Sequence, residues 1–108
     1  MTELKREVEY TTRFKKDYKR ETKGRHRRTV AADMEAVIAM LADDVPLPAH
    51  MVDHALTGNW RDHRDCHVKP DLVLIYRKVD ALPPGSASEL ERAILQLVRL
   101  GSHSELGL

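Results

Sequence analysis

An α+β fold, with an N-terminal helix hairpin packed on an antiparallel β-sheet, is what this sequence predicts, and three observations predict it. Apolar residues alternate near the start of the chain, then recur at three- and four-residue spacing, then alternate again in three later runs. Prolines 46, 48 and 70 separate these regimes, because each fixes φ and removes a backbone donor. A chain of 108 residues, 42% hydrophobic but only 5% aromatic, makes one domain (residues 1–108) around an aliphatic core.

The elements follow in order. Arg6–Tyr10 alternates with Val8 and Tyr10 on one face and reads as a short strand. Thr11 or Thr12 caps the helix that follows, on which Phe14 and Tyr18 stand one turn apart and which Gly24 ends. From about Arg28, the spacing of Val30, Ala31, Met34, Val37, Ile38 and Leu41 predicts a second helix, stopped near Asp44 before Pro46 and Pro48. Residues 44–60 read as a loop carrying His50, Asp53, His54, Gly58 and Trp60. A strand around Arg61–Val68, a turn at Lys69-Pro70-Asp71 and the most apolar strand, Leu72–Val79, come next. Residues 82–88 form a connection longer than a tight hairpin needs. The last strand falls within Ala93–Leu100, with Ile94, Gln96, Val98 and Leu100 on one face and Leu95, Leu97 and Arg99 on the other. A short tail closes the chain, and there are no internal repeats.

Charge and cysteine content narrow the class. Cys66 is the single cysteine, which excludes an intrachain disulfide framework and suits a reducing cytosol. The N-terminal MTELKREVEY has no apolar core of an export signal, and no run approaches the ~20 apolar residues of a membrane helix. The expected location is cytoplasmic, without membrane contact. Residues 1–28 carry eleven Lys and Arg against five acids, although the whole chain is only +1. Such a basic stripe fits either a nucleic-acid backbone or a solvated helix face.

The stretch DHRDCHVKPDLVLIY (62–76) sets two histidines and three carboxylates at the mouth of an apolar strand. Hairpin connections make adjacent strands antiparallel, so His67, Asp71, Arg99 and His103 are expected to gather at one end of the sheet. His54, in the preceding loop, could fold over the same end. Histidine exchanges protons near neutrality, and arginine matches phosphate geometry. Together they suit a metal-independent ribonuclease in which a base activates the ribose 2′-hydroxyl and an acid protonates the leaving 5′-oxygen. His26 and His63 read as structural or solvated. No HxH or HExxH spacing supports zinc, and no cofactor is implied.

The string from Leu47 to Trp60, the string from Arg64 to Asp71, Leu74-Ile75-Tyr76 and the closing Arg99-Leu100-Gly101-Ser102-His103 resemble the YafQ-type toxins. These belong to the RelE/ParE superfamily of bacterial type II toxin–antitoxin systems. The N-terminal Tyr10 and Phe14-Lys15-Lys16-Asp17 match the same family's opening. The resemblance implies a RelE-like fold and a ribosome-dependent endoribonuclease, an mRNA interferase that cuts mRNA in the A site of the 70S ribosome. It implies a cognate antitoxin partner, with operator DNA bound only through their complex. Carried over by position, the functional groups fall on His54, His67, Asp71 and His103, with Arg99 on the phosphate. His67 and Asp71 would share activation of the 2′-hydroxyl, His103 would be the acid and His54 would assist. Lys15, Lys16, Lys19, Arg20 and Lys23 would then face rRNA. The chain departs from the family's pattern at Leu72 and Gly107, where relatives tend to carry aromatics that could stack on bases. Residues 80–92 look longer than usual and read as a surface elaboration. Two rival readings stand beside this one: a ParE-like toxin that binds DNA gyrase without catalysis, and a degenerate toxin acting only as a co-repressor with the antitoxin.

Overall fold

The alternation at the N-terminus forms β1 (Glu7–Tyr10), and the helices follow as α1 (Thr12–Glu21) and α2 (Val30–Ala42) in a computed structural model that describes residues 5–81 and 92–108. Thr11 is the cap of α1, its hydroxyl accepting the Phe14 N–H at 3.0 Å. The helix ends at Glu21, short of Gly24, and residues 22–29 form turns, so α2 starts at Val30 rather than Arg28. Its stripe of Val30, Met34, Val37 and Leu41 is buried beside Phe14 of α1. Burying each such side chain fully is worth about 1.5–3 kcal/mol, which ties α2 to the sheet.

The remaining strands are β2 (His54–Ala55), β3 (Arg64–Lys69), β4 (Leu72–Val79) and β5 (Ile94–Gly101), in the order β1-β5-β4-β3-β2. β3, β4 and β5 form the expected antiparallel meander, and β1 joins it parallel to β5. The loop over 44–60 is more ordered than its composition indicates: it holds 3₁₀ turns at Ala49–Met51 and Gly58–Trp60 and contributes β2. β3 begins at Arg64, not Arg61, because Asp62 takes a left-handed φ of 69°. The tail forms a last short helix, α3 (His103–Leu106), closed by a capping box between Ser102 and Glu105.

The two faces of the sheet divide the molecule. Cys66, Leu72, Leu74, Tyr76, Leu95, Leu97 and Leu100 pack against α1 and α2, whereas Val73 and Ile75 meet Leu106 of α3 on the opposite face. Strict alternation in β5 would separate Leu100 from Leu95 and Leu97. A bulge overturns that expectation: Ile75 pairs with Arg99 but Tyr76 pairs with Leu97, so one residue is extra and the faces switch. Leu100 thereby joins the helix-side core, and Arg99 shares a strand position with Ile75 on the other face. Beyond Tyr10 the free edge of β5 is covered by α1 side chains, since Asp17 accepts the Leu100 N–H at 3.0 Å and Arg20 donates to the Leu100 carbonyl at 2.9 Å. The connection at 82–88 and most of the 80–92 elaboration lie outside the described residues. No helix among the described residues is long and apolar enough to cross a membrane.

Candidate active site

The face opposite α1 and α2 carries the titratable groups. Period-two alternation along β3 buries Cys66 on the helix side and leaves Asp65 and His67 together on the other. Burial pushes the Cys66 thiol up to about 12, so it is an inert core residue. His54 lies directly across from Asp65 in the β2–β3 pairing. Ser102, the cap of α3, delivers His103 over the end of the sheet, where its ring meets that of His67 edge-on with centroids 5.0 Å apart. The expectation that hairpin geometry unites residues 67 and 103 therefore holds. A cleft of about 580 Å³ opens here, lined by His54, Trp60, Asp65, His103, Leu106 and Gly107 among others.

The hydrogen-bond geometry fixes one proton. His54 Nδ1 is 2.8 Å from the Val52 carbonyl oxygen. A carbonyl only accepts, so Nδ1 carries the hydrogen and Nε2 of the neutral ring holds the lone pair. Asp65 Oδ1 lies 3.0 Å from the same Nδ1, yet it has no aligned donor because that N–H is directed at Val52. Burial pushes the Asp65 carboxyl above its ordinary range, and Asp53 adds to this. The charges of His54, His67 and His103 pull the other way without cancelling it. A buried carboxylate without a hydrogen-bond donor is costly, so it signals a site rather than a scaffold. Asp65 is the residue that the sequence reading passed over. Its signal was alternation: one residue separates it from His67, which places both on one face.

Two expected members, Asp71 and Arg99, are held by partners outside the cleft lining. Asp71 is exposed in the β3–β4 turn, where His26 Nε2 lies 3.0 and 3.1 Å from its two oxygens and Arg25 Nη1 is 3.2 Å away. Partial burial raises the Asp71 carboxyl, but His26, its own backbone N–H and Arg25 outweigh that and hold it below the usual range. His26 is thus not merely solvated: it ties the α1–α2 connector to the turn. Arg99 is engaged by Asp17 of α1, through Nε at 2.7 Å and Nη2 at 3.3 Å. Lys15, Lys16 and Lys19 of α1 and Lys23 of the turn after it are exposed. Arg20 is exposed too, but its guanidinium is engaged by Leu100, Asp17, Glu21 and Glu105. Leu72 is buried in the core and does not face the cleft, whereas Gly107 lines it with a left-handed φ of 72°. Trp60 is the aromatic that the cleft does contain. Among the described residues, no three His, Cys, Asp or Glu side chains are grouped to hold a metal ion.

Fold and sequence place the chain among small bacterial toxins of type II toxin–antitoxin systems, whose family model matches residues 6–107. The chain belongs to that family, YafQ. It is 34% identical to the mRNA interferase toxin YafQ of Escherichia coli K12, over 95% of this chain and 97% of that one. The crystal structure of YafQ from E. coli BL21(DE3) superposes with a TM-score of 0.71 at 31% identity, covering 94% of this chain and 97% of that one. The toxin in the E. coli DinJ–YafQ toxin–antitoxin complex superposes at 0.70 with 32% identity, covering 95% and 98%. These likenesses accord with the α+β fold expected from the sequence.

Proposed function

We propose that this protein is an mRNA interferase, an endoribonuclease that cuts mRNA in the ribosomal A site, stops translation and is silenced by a cognate antitoxin. The observation that carries the reading is the meeting of His54, Asp65 and His103 at one cleft, with the His67 ring against that of His103, in a chain 34% identical to an E. coli mRNA interferase toxin. The DinJ–YafQ complex supports the antitoxin partner.

The chemistry divides between the two sides of the cleft. His54 Nε2, bare because Nδ1 is committed to Val52, removes the proton from the ribose 2′-hydroxyl. The 2′-oxygen attacks the adjacent phosphorus, and the 5′-oxygen leaves with a proton from His103. The products are a 2′,3′-cyclic phosphate and a free 5′-hydroxyl. Asp65 offsets the positive charge that His54 gains, and His67 holds the His103 ring edge-on. Asp71 and Arg99 take supporting parts: Asp71 fixes the turn after His67, and Arg99 fixes the end of β5 from which His103 emerges. Lys15, Lys16, Lys19 and Lys23 face rRNA, where each phosphate contact adds salt-sensitive affinity. Operator DNA is met only through the antitoxin complex.

The test is induction in cells with mapping of mRNA 5′ ends, for the natural chain and for His54→Ala, His67→Ala and His103→Ala. Breaks phased to codons that vanish in the variants support the reading. Growth arrest that survives all three changes refutes it, and arrest with DNA damage but intact mRNA points to gyrase.

A further inference from the structure

The turn that presents His54 is strained. Val52 has φ 49° and ψ 49°, a left-handed conformation that a β-branched residue rarely adopts. Such strain persists only where neighbours over-determine it, and it concentrates at functional sites. The neighbour here is Asp53. Its Oδ1 accepts hydrogen bonds from the Tyr76 hydroxyl and from Arg64 Nε at 3.2 Å. Tyr76 is 1% exposed in the helix-side core, and Arg64 stands opposite it in the β3–β4 pairing. Burial pushes the Tyr76 phenol far above its ordinary value and Asp53 pushes it further, so it remains an O–H donor. A rigid core residue and a strand arginine thus peg the residue between Val52 and His54.

The peg decides where one proton points. His54 Nδ1–H has two acceptors within reach, the Val52 carbonyl at 2.8 Å and Asp65 Oδ1 at 3.0 Å. The held turn directs it to Val52. Release of the turn would let the ring swing and the Nδ1–H find Asp65, or let the proton move to Nε2.

We propose that Asp53 is a positioning residue: pegged by Tyr76 and Arg64, it holds the Val52 carbonyl against His54 and so keeps His54 in the tautomer whose Nε2 accepts a proton. This rests on the reading of His54 as the base. The test is ¹⁵N NMR of the histidine rings, together with single-turnover cleavage of ribosome-bound mRNA, for the natural chain, Tyr76→Phe, Asp53→Ala and Asp53→Asn. The natural chain should show a pyrrole-type Nδ1 and a pyridine-type Nε2 at His54. Tyr76→Phe and Asp53→Ala should mix the two tautomers and slow cleavage roughly ten- to a hundredfold at saturating ribosome complex. Asp53→Asn, which keeps the acceptor, should restore both. If Asp53→Ala does not fold, Tyr76→Phe carries the test alone. An unchanged His54 tautomer in the Tyr76→Phe protein overturns the proposal whatever the activity. A changed tautomer with undiminished cleavage overturns instead the role of His54 as base, and with it any part for Asp53 in the reaction.

Discussion

Replacing Asp17 with alanine should cost this domain a large share of its stability. The side chain is 6% exposed and receives Arg99 Nε at 2.7 Å, Arg99 Nη2 at 3.3 Å, the Leu100 N–H at 3.0 Å and Arg20 Nη1 at 3.4 Å. Without it, a guanidinium that is 14% exposed loses its counter-ion, a change that costs about 3–5 kcal/mol when one partner of a buried pair is removed. The orphaned Leu100 N–H adds about 1–3 kcal/mol, while Arg20, 44% exposed, regains water and adds little. Arg99 can relax toward solvent once Asp17 is gone, so we expect a net loss of about 3–4 kcal/mol out of the ~5–15 kcal/mol typical of a domain. Asp17→Asn keeps an acceptor for Leu100 and should lose about half as much. Urea unfolding followed by circular dichroism measures both. A loss under about 1 kcal/mol for Asp17→Ala, or equal losses for the two variants, would refute the structural part given to this pair. The double change Asp17→Leu with Arg99→Leu should recover the share lost to the unpaired guanidinium, since apolar replacement of a buried pair is often neutral, but not the share of the Leu100 N–H, which stays without an acceptor. A folded, active double variant would show that Arg99 serves the fold; a folded, inactive one would return Arg99 to the phosphate.

Asp65→Asn should raise thermal stability at neutral pH while lowering cleavage roughly a hundredfold or more. The folded chain holds the Asp65 proton more tightly than the unfolded chain does, so ionisation opposes folding. The variant's advantage should therefore grow as pH rises from the ordinary carboxylate range through the raised folded value, and vanish at lower pH. Melting curves across that range check it, and an Asn variant less stable than the natural chain at neutral pH would contradict it. Ser102→Ala breaks the capping box that starts α3 and should cost about 1 kcal/mol. Because α3 begins with His103, cleavage should fall by more than that stability loss explains, which comparison at matched folded fraction would reveal.

Much of this architecture could be read from the sequence because it follows from periodicity. The stripe from Val30 to Leu41, the alternation before Tyr10 and the turn at Pro70 each have a local cause, and each lies where that cause predicts. Hairpin logic also brings His67 to His103, 36 positions further along the chain, a long-range result from a local rule. What escaped has no periodic signature. One inserted residue at the β5 bulge reverses the facing of Leu100 and Arg99, and alternation alone cannot detect it. β2 spans only His54 and Ala55, too short to alternate. The partners of Asp71 and Arg99 come from a helix connector and a helix, whose approach depends on tertiary packing. The helix in the tail is different: Ser102 and Glu105 form an S-x-x-E capping pair that is visible in the sequence.

In the proposed reaction this cleft directs a 2′-hydroxyl at the neighbouring phosphorus, with His54 and His103 moving the protons. The most direct measurement gives purified protein and 70S ribosomes an mRNA carrying a single 2′-deoxy nucleotide at the mapped cleavage site. This mRNA should stay intact at that site, while the all-ribose mRNA yields a 2′,3′-cyclic phosphate and a 5′-hydroxyl. Cleavage of the deoxy-substituted bond at an undiminished rate would contradict it.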